Sequence, residues 1–544
     1  MGKAVRRRIT AVDDCHPAPA ISYSHTHGST ERGEVSVMIS RRSLLRAGAG
    51  VSAAAAFTAA SGSMGSVWAA GSPPWTTLRD KLGGRLVLPT DSGYDLAKQL
   101  QLAQFDAIHP QAVAYCVSST DVATCIRFAQ DNSIPVAPRS GGHSYGGYST
   151  SPGLVIDVSR MNGVRVGQST VRLGPGGQGV DIAAELAPYN VQVATGTCPT
   201  VCCGGWLQGG GLGQQARKYG MGCDRLVSAE VVLANGSVVR CSNDQHPDLY
   251  WALRGGGGGN FGVVTEYEVL QTQAPTITNY NLNWDWSDAL DVIMAWQQWV
   301  ADGPRELSAE LLIEFQTDSA GAQPLVVVTG GYLGAKADCD SLLDGLVSAV
   351  GRPNTTRDVQ EQPYQQAMMT VFGCGDRTVA QCHRVGYSSE AQLPRDIWAT
   401  QRNLYFRDPL SRSAASEALT AFLADNRGGQ FRFFGLFAYG GKINDVSPTA
   451  TAFVHRDALF AAGYQIGLTQ PNPTQADIDS AQGWVNHGYT TMDPYSNHES
   501  FQNYMDPALS DWRQAYYGQN YPRLQRVKHC YDPHHFFRFA QGID

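Results

Sequence analysis

The sequence predicts an α+β chain of at least two packed units. One is a glycine-looped N-terminal unit; after it lies an α+β unit built as a sheet covered by helices. Three observations carry that expectation. The chain has 544 residues, more than one hydrophobic core organises. Many of its 59 glycines gather in clusters between residues 139 and 262, next to strand-like runs. Past Gln273 the clusters stop, and longer strands alternate with helical stretches until a tail rich in Tyr, His and Phe begins near residue 500.

Residues 1–69 read as a leader and are left out of the fold. They hold eight Lys/Arg against four acids, on a chain whose formal net charge is −7. Ser40-Arg41-Arg42-Ser43-Leu44-Leu45 precedes an alanine-rich, weakly apolar stretch, and Val67-x-Ala69 offers a cleavage site. This resembles a twin-arginine export signal, which implies a secreted or extracytoplasmic protein delivered by the export machinery. Met38 offers a second start position.

The first unit, residues 70–272, opens with an apolar run at 112 and a helix in which Asp121 stands as the N-cap. Ile134-Pro135-Val136 reads as a buried strand, with further strands at Leu154–Asp157 and Thr170–Leu173 and a helix from Val180 to Leu186. Residues 226–240 form a hairpin around Asn235-Gly236. In the middle unit, residues 273–490, strands at Tyr280–Trp286 and Leu325–Gly330 alternate with helices at Ala289–Val300 and Ala414–Leu423. Residues 491–544 are a separate C-terminal segment. The acidic balance argues against a nucleic-acid partner, and no run after residue 70 reaches the roughly 20 apolar residues of a membrane span. Twelve cysteines, one of them in the leader, leave an odd number whose pairing spacing does not assign.

Three segments carry chemistry. In Arg139-Ser140-Gly141-Gly142-His143-Ser144, small residues after a buried strand turn successive N–H groups inward, a nest for phosphates. Gly196-Thr197-Cys198-Pro199-Thr200-Val201 leads into Gly204-Gly205-Trp206-Leu207-Gln208-Gly209-Gly210-Gly211-Leu212-Gly213. Arg254 to Gly259 leads into Asn260-Phe261-Gly262-Val263. So many glycines fit a main chain lying against a large flat ligand. Rival signatures are weaker. Gly174 to Gly179 fits G-x-G-x-x-G but lacks the acid a dinucleotide fold wants about 20 residues on. Gly142-His143-Ser144-Tyr145-Gly146 fits G-x-S-x-G but runs into turn-formers, not a helix. Cys198, Cys202, Cys203 and Cys223 lack paired C-x-x-C spacing, so no metal is expected.

Together with Asn520-Tyr521-Pro522-Arg523-Leu524, Lys528 and Tyr531-Asp532-Pro533, these motifs resemble the berberine bridge enzyme-like oxidases of the vanillyl-alcohol oxidase/p-cresol methylhydroxylase flavoprotein superfamily. The resemblance covers residues 80–272 and 500–544 and implies a two-part FAD-binding domain of the p-cresol methylhydroxylase (PCMH) type, with residues 491–544 returning to the first unit. It implies FAD bound covalently through His143 at the 8α carbon and Cys198 at C6. It also implies flavin contacts from Arg139, Ser140, Gly141, Gly142, Ser144, Gly204, Gly205, Gly210, Gly211, Gly213, Asn260, Gly262, Val263 and Asn520. Cys202 and Cys203 stand where the family shows small residues and are read as structural.

The expected activity is oxidation of an alcohol, sugar or glycosylated or polycyclic natural product by hydride transfer to the flavin, with O2 reduced to H2O2. A second reading is a flavin dehydrogenase with another acceptor, a third a secreted carbohydrate-binding protein without activity. The resemblance implies a tyrosine base, for which Tyr521 and Tyr439 are the candidates. A phenol titrates near pH 10 and rises on burial, so the base needs a cation, for which Lys442 and Arg523 are at hand. Tyr145 is expected to line the pocket.

Overall fold

The computed structural model describes residues 73–315, 319 and 321–544; the leader and its Arg41-Arg42 pair lie outside the described residues. The N-terminal unit builds two sheets. In the first, the order is Arg85–Val87, Ala112–Tyr115, Leu154–Asp157, Val136–Arg139. The last three strands run parallel, which requires a crossover, and the helix Ser119–Asp131 supplies it. Its N-cap is Ser118, whose hydroxyl accepts from Asp121 N. The expected cap Asp121 sits one turn inside. Its carboxylate accepts instead from the backbone N–H of Gly83, Gly84 and Val117, fastening the preceding strand to the helix.

The second sheet is antiparallel, ordered Val164–Val166, Thr170–Leu173, Val263–Leu270, Leu226–Val232, Val238–Ser242. The last pair is the expected hairpin; Gly236 takes φ +76° in its turn, a conformation natural to glycine. The G-x-G-x-x-G run lies between Thr170–Leu173 and the helix Gly179–Leu186. Its glycines let backbone meet backbone: a Cβ on Gly174 would come within 2.0 Å of Met161 O, and one on Gly176 within 2.3 Å of Ser159 O.

The middle of the chain forms one antiparallel seven-stranded sheet, ordered Thr356–Pro363, Thr276–Asp285, Pro324–Tyr332, Leu307–Phe315, Gln430–Ala438, Phe460–Leu468, Trp398–Phe406. Because strand side chains alternate between faces, each strand supplies two different surfaces. Leu404, Phe406, Phe434, Leu436, Phe460, Ala462 and Ile466 pack against the helices Ala289–Asp302, Lys336–Val350, Arg412–Leu423 and Gln475–Met492. Gln401, Asn403, Phe433, Phe437 and Gln465, at the alternate positions, face a cavity.

The C-terminal helices Trp512–Tyr517 and Tyr521–Tyr531 return to the N-terminal unit and bury Trp512, Tyr516, Tyr517, Leu524 and Val527 against Leu249, Tyr250 and Trp251. The return is locked by Lys528, whose ammonium is wholly buried. It donates to Asn260 O at 2.6 Å, Asp532 Oδ2 at 2.7 Å and Phe537 O at 2.6 Å. Asp532 also accepts from the N–H groups of Phe536 and Phe537. Lys528→Met should therefore strand a buried carboxylate and cost about 3–5 kcal/mol, read as a lowered denaturant midpoint. Arg523→Ala, which removes an exposed pair with Asp248, should cost less than about 1 kcal/mol.

Candidate functional site

Between the seven-stranded sheet and the N-terminal unit lies a cavity of about 780 Å³. The strand Val136–Arg139 ends at its wall and delivers the loop Arg139 to Tyr145 into it. Arg139 is held at the rim, Nε donating to Asp157 Oδ2 at 2.5 Å and Nη2 to Ala97 O at 2.6 Å. Ser140 Oγ donates to Pro175 O, while Ser144 Oγ accepts from Tyr148 N. The wall is continued by Gly196, Thr197, Cys198, Gly204, Gly205, Gly257, Gly258, Gly259, Gly262 and Val263. At Gly205 the main chain is bare: a Cβ would meet no protein atom within 4 Å. A flat ligand can lie directly on this backbone.

Two nucleophilic side chains open onto the same cavity, and Thr200 joins them. His143 Nε2 lies 3.0 Å from Thr200 Oγ1, and Cys198 Sγ lies 3.8 Å from the same oxygen. Burial, then the charge of Arg384, pull the His143 pKa down to about 4 against the Thr200 hydrogen bond, so the imidazole is neutral at neutral pH. In the tautomer whose Nε2–H donates to Thr200, Nδ1 keeps its lone pair for the cavity. The Cys198 side chain is open to the cavity, yet desolvation by the walls around it raises the thiol, and hydrogen bonds from Thr200 and Val201 offset part of that. A lone-pair imidazole and a thiol on one wall, above bare backbone, fit a flavin held at two points.

Several expected ligand contacts serve the loops instead. Gly210, Gly211 and Gly213 lie behind the wall. Gly213 passes so close to Thr195 that a Cβ would come 2.0 Å from its carbonyl oxygen, while Gly210 faces the Phe453 ring and Gly211 faces Gly222 and the Trp206 ring, so protein atoms pack against all three. Asn260 is buried and staples the third loop: Nδ2 donates to Gly256 O at 3.0 Å, and Oδ1 accepts from Ile543 N at 2.9 Å. Asn520 Nδ2 donates to Pro448 O at 2.7 Å and to Thr451 O at 3.2 Å, which ties the tail to the middle unit. Cys202 and Cys203 donate to Gly176 O and Gly174 O; Cys202 also reaches the wall. Burial raises both thiols, that of Cys203 to about 12.

The expected base Tyr521 lies away from the cavity. It lies in the C-terminal aromatic cluster with Trp512 and Tyr517, its hydroxyl bonded to Asp544 and Arg513, and it does not line the cavity. Its helix points that face at the tail itself. The expected cations are elsewhere too: Arg523 pairs with Asp248 and stacks on Trp251, and Lys442 is exposed near Asp445. Tyr439 and Tyr145 do line the cavity. The Tyr439 hydroxyl is paired with that of Tyr405 at 3.0 Å. The Tyr405 ring stacks on His455, 4.3 Å between centroids, and His455 links Glu499 at 2.7 Å to the wall residue Gln502 at 3.2 Å.

Tyr504 was not foreseen. It lines the cavity, its charge is felt by Tyr439 and it feels Cys198, and its hydroxyl has no hydrogen-bond partner among the described residues. Gln401, Asn403, Gln465, Gln502 and Asn503 complete a wall rich in amides. Gln401 and Asn403 stand two apart in the polar run Thr400-Gln401-Arg402-Asn403 of a strand with apolar ends, so they share one face; Tyr504 had no signal beyond its place in the aromatic tail.

Comparison with known proteins agrees with this geometry. A model of the FAD binding domain matches residues 110–242, and one described as berberine and berberine-like matches residues 500–544. An uncharacterised FAD-linked oxidoreductase of Bacillus subtilis is 30% identical over 477 residues, 86% of this chain and 98% of the relative. The chain belongs to the berberine bridge enzyme-like family of FAD-linked oxidoreductases. The fold of this flavoenzyme matches a berberine bridge enzyme-like protein of Physcomitrella patens with a TM-score of 0.77 at 24% identity, covering 86% of this chain and 98% of that one. It also matches glucooligosaccharide oxidase from Acremonium strictum, which carries a 6-S-cysteinyl, 8α-N1-histidyl FAD, with a TM-score of 0.74 at 25% identity over 85% and 97% of the two chains.

Thiol accessibility separates the cysteines. Under native conditions alkylation of the flavin-free protein should label Cys198 and Cys530, which are exposed, and spare the buried Cys202 and Cys203, as peptide mass spectrometry would read. Labelling of Cys203 before Cys198 would remove Cys198 from the reactive position.

Proposed function

We propose that this flavoenzyme is an exported oxidase of hydroxyl-bearing carbohydrates, with FAD bonded to both His143 and Cys198. The observation that carries the reading is the Thr200-bridged pair of a neutral imidazole and a thiol on one cavity wall. Residues 70–272 and 491–544 hold the cofactor, and residues 273–490 bind the substrate. When bound, FAD supplies the hydride acceptor and passes its electrons to O2, giving H2O2. Carbohydrate is favoured because the wall offers Gln401, Asn403, Gln465, Gln502 and Asn503, amides that both donate to and accept from hydroxyls. The glucooligosaccharide oxidase relative supports the same class. Export rests on Arg41-Arg42 and the apolar stretch after it; among the described residues no helix is long and apolar enough to cross a membrane.

The protein's own part in the chemistry is to hold the substrate carbon against the acceptor and take the hydroxyl proton. Tyr504 fits that task better than Tyr439, whose hydroxyl is already engaged with Tyr405. The His455–Glu499 pair holds Gln502 in one orientation, so the substrate meets a fixed amide. Burial raises the Tyr504 phenol above its ordinary value, and a raised phenol keeps its proton at neutral pH. The rate of flavin reduction should therefore climb with pH into the alkaline range, where the phenol ionises.

Three experiments check these roles. Acid-precipitated wild type, His143→Ala and Cys198→Ala should all stay yellow, and the double variant should release its flavin. Peroxide should form with neutral oligosaccharides; reduction of a dye with no peroxide would identify a dehydrogenase. In single-turnover reduction, Tyr504→Phe should be slowed roughly 10²–10⁴-fold and lose the alkaline rise. An unchanged rate would assign proton removal to Tyr439.

A further inference from the structure

The segment between the helix Tyr364–Val371 and the strand Trp398–Phe406 leaves the large sheet and docks on the N-terminal unit. A disulfide, Cys374–Cys382, closes its base. His383 Nε2 reaches Asp181 at 2.9 Å. Arg395 forks onto Asp106 at 2.9 and 2.6 Å, and its Nε donates to Leu100 O at 2.7 Å. Ala103 N donates to Asp396 O at 2.8 Å. The main chain of Asp396 is thus fixed from both sides, and its side chain lines the cavity.

That carboxylate lacks a counter-charge. Its one donor is Gln101 Nε2, 3.3 Å from Oδ2, and the same amide is shared with Pro394 O at 3.5 Å. Oδ1 has no partner among the described residues. Arg395, the adjacent cation, is committed to Asp106. Elsewhere on the wall Arg139 is paired with Asp157 and Arg402 with Asp506, while Arg538 stands on the C-terminal segment beside Phe539. Desolvation by the surrounding cavity walls raises the Asp396 carboxyl, and the Gln101 bond and the charge of Arg395 recover only part. Asp396 lines the same cavity as Tyr145 and Cys198. The carboxylate is exposed to the open cavity, so a cation delivered by the ligand reaches it directly, and a charge-assisted bond is about twice as strong as a neutral one.

We propose that Asp396 is a specificity-determining residue that binds a protonated amine, making the substrate an amino sugar with a free cationic amino group. The amide-rich wall takes its hydroxyls, and the carboxylate takes its ammonium. This rests on the carbohydrate-oxidase reading of the same cavity.

The test compares three trimers on the flavin-loaded enzyme: glucosamine, N-acetylglucosamine and glucose. The charged trimer should show a KM roughly 10–100-fold below the two neutral ones, the range of a charge-assisted hydrogen bond expressed as affinity. Asp396→Asn should raise that KM to the neutral level, and Asp396→Glu should keep part of the preference. Equal KM values for the three trimers in the wild type, or a preference that survives Asp396→Asn, overturns the proposal and leaves the oxidase reading standing. If no trimer is oxidised, the oxidase reading falls, and equilibrium binding still decides on Asp396 through the flavin absorbance. Tighter binding of the glucosamine trimer, lost in Asp396→Asn, supports the proposal; equal or absent binding overturns it.

Discussion

The structure depends on holding bare backbone in place. A loop that lets a flat ligand touch its main chain gives up the side chains that would anchor it, and glycine adds the entropy of a flexible chain. The anchors therefore come from outside. Asn260 ties the third loop to itself and to Ile543, Lys528 grips its carbonyl, Tyr517 donates to Gly256 O, and Gln502 donates to Gly255 O. Asn503 does the same for Trp206 O on the second loop. Residues far from any chemistry thus decide whether the wall is flat. A buried ammonium such as Lys528 is costly unless every donor is used, and here three acceptors surround it.

The seven-stranded sheet solves a second problem with the period of two. One face is apolar and pays the cost of ordering the middle unit through its four covering helices; the other is free to be polar. That division lets Gln401 and Asn403 sit in a strand whose neighbours Leu404 and Phe406 are buried. It also explains why aromatic Phe433 and Phe437 stand beside amides on the cavity side: their strand gives Phe434 and Leu436 to the core. A cavity floor built on a strand is rigid, so substrate hydroxyls meet amides whose positions are set by the sheet ladder rather than by loop conformation.

Much of this was legible in the sequence, where a local rule governs. The Asn235-Gly236 hairpin, the strand into Arg139, the helices of the middle unit and the placing of His143 and Cys198 on one cavity each follow from short patterns. The failures share a cause. Glycines that admit a ligand and glycines that admit another stretch of protein look alike in sequence, so Gly205 and Gly213 could not be told apart. Ser118 and Asp121 are both cap residues by type, and only the approach of Gly83 and Gly84 decides which task Asp121 takes. Tyr521 belongs to a family motif but faces Asp544, whereas Tyr504, seventeen residues earlier, reaches the cavity because the tail crosses between the units there. Such facings are set by tertiary packing, which periodicity does not encode.

The Lys528 lock carries a consequence for biosynthesis. Ribosomes release a chain from its N-terminus onward, and folding units form as they emerge. The loop at residues 255–262 is made long before Lys528, Asp532 and Ile543, the groups that hold it. Until those residues emerge, the glycine loop has backbone groups without their final partners, and the wall it forms cannot settle. The pocket is thus among the last parts of the molecule to mature, finished only when the end of the chain folds back onto a segment translated more than 250 residues earlier.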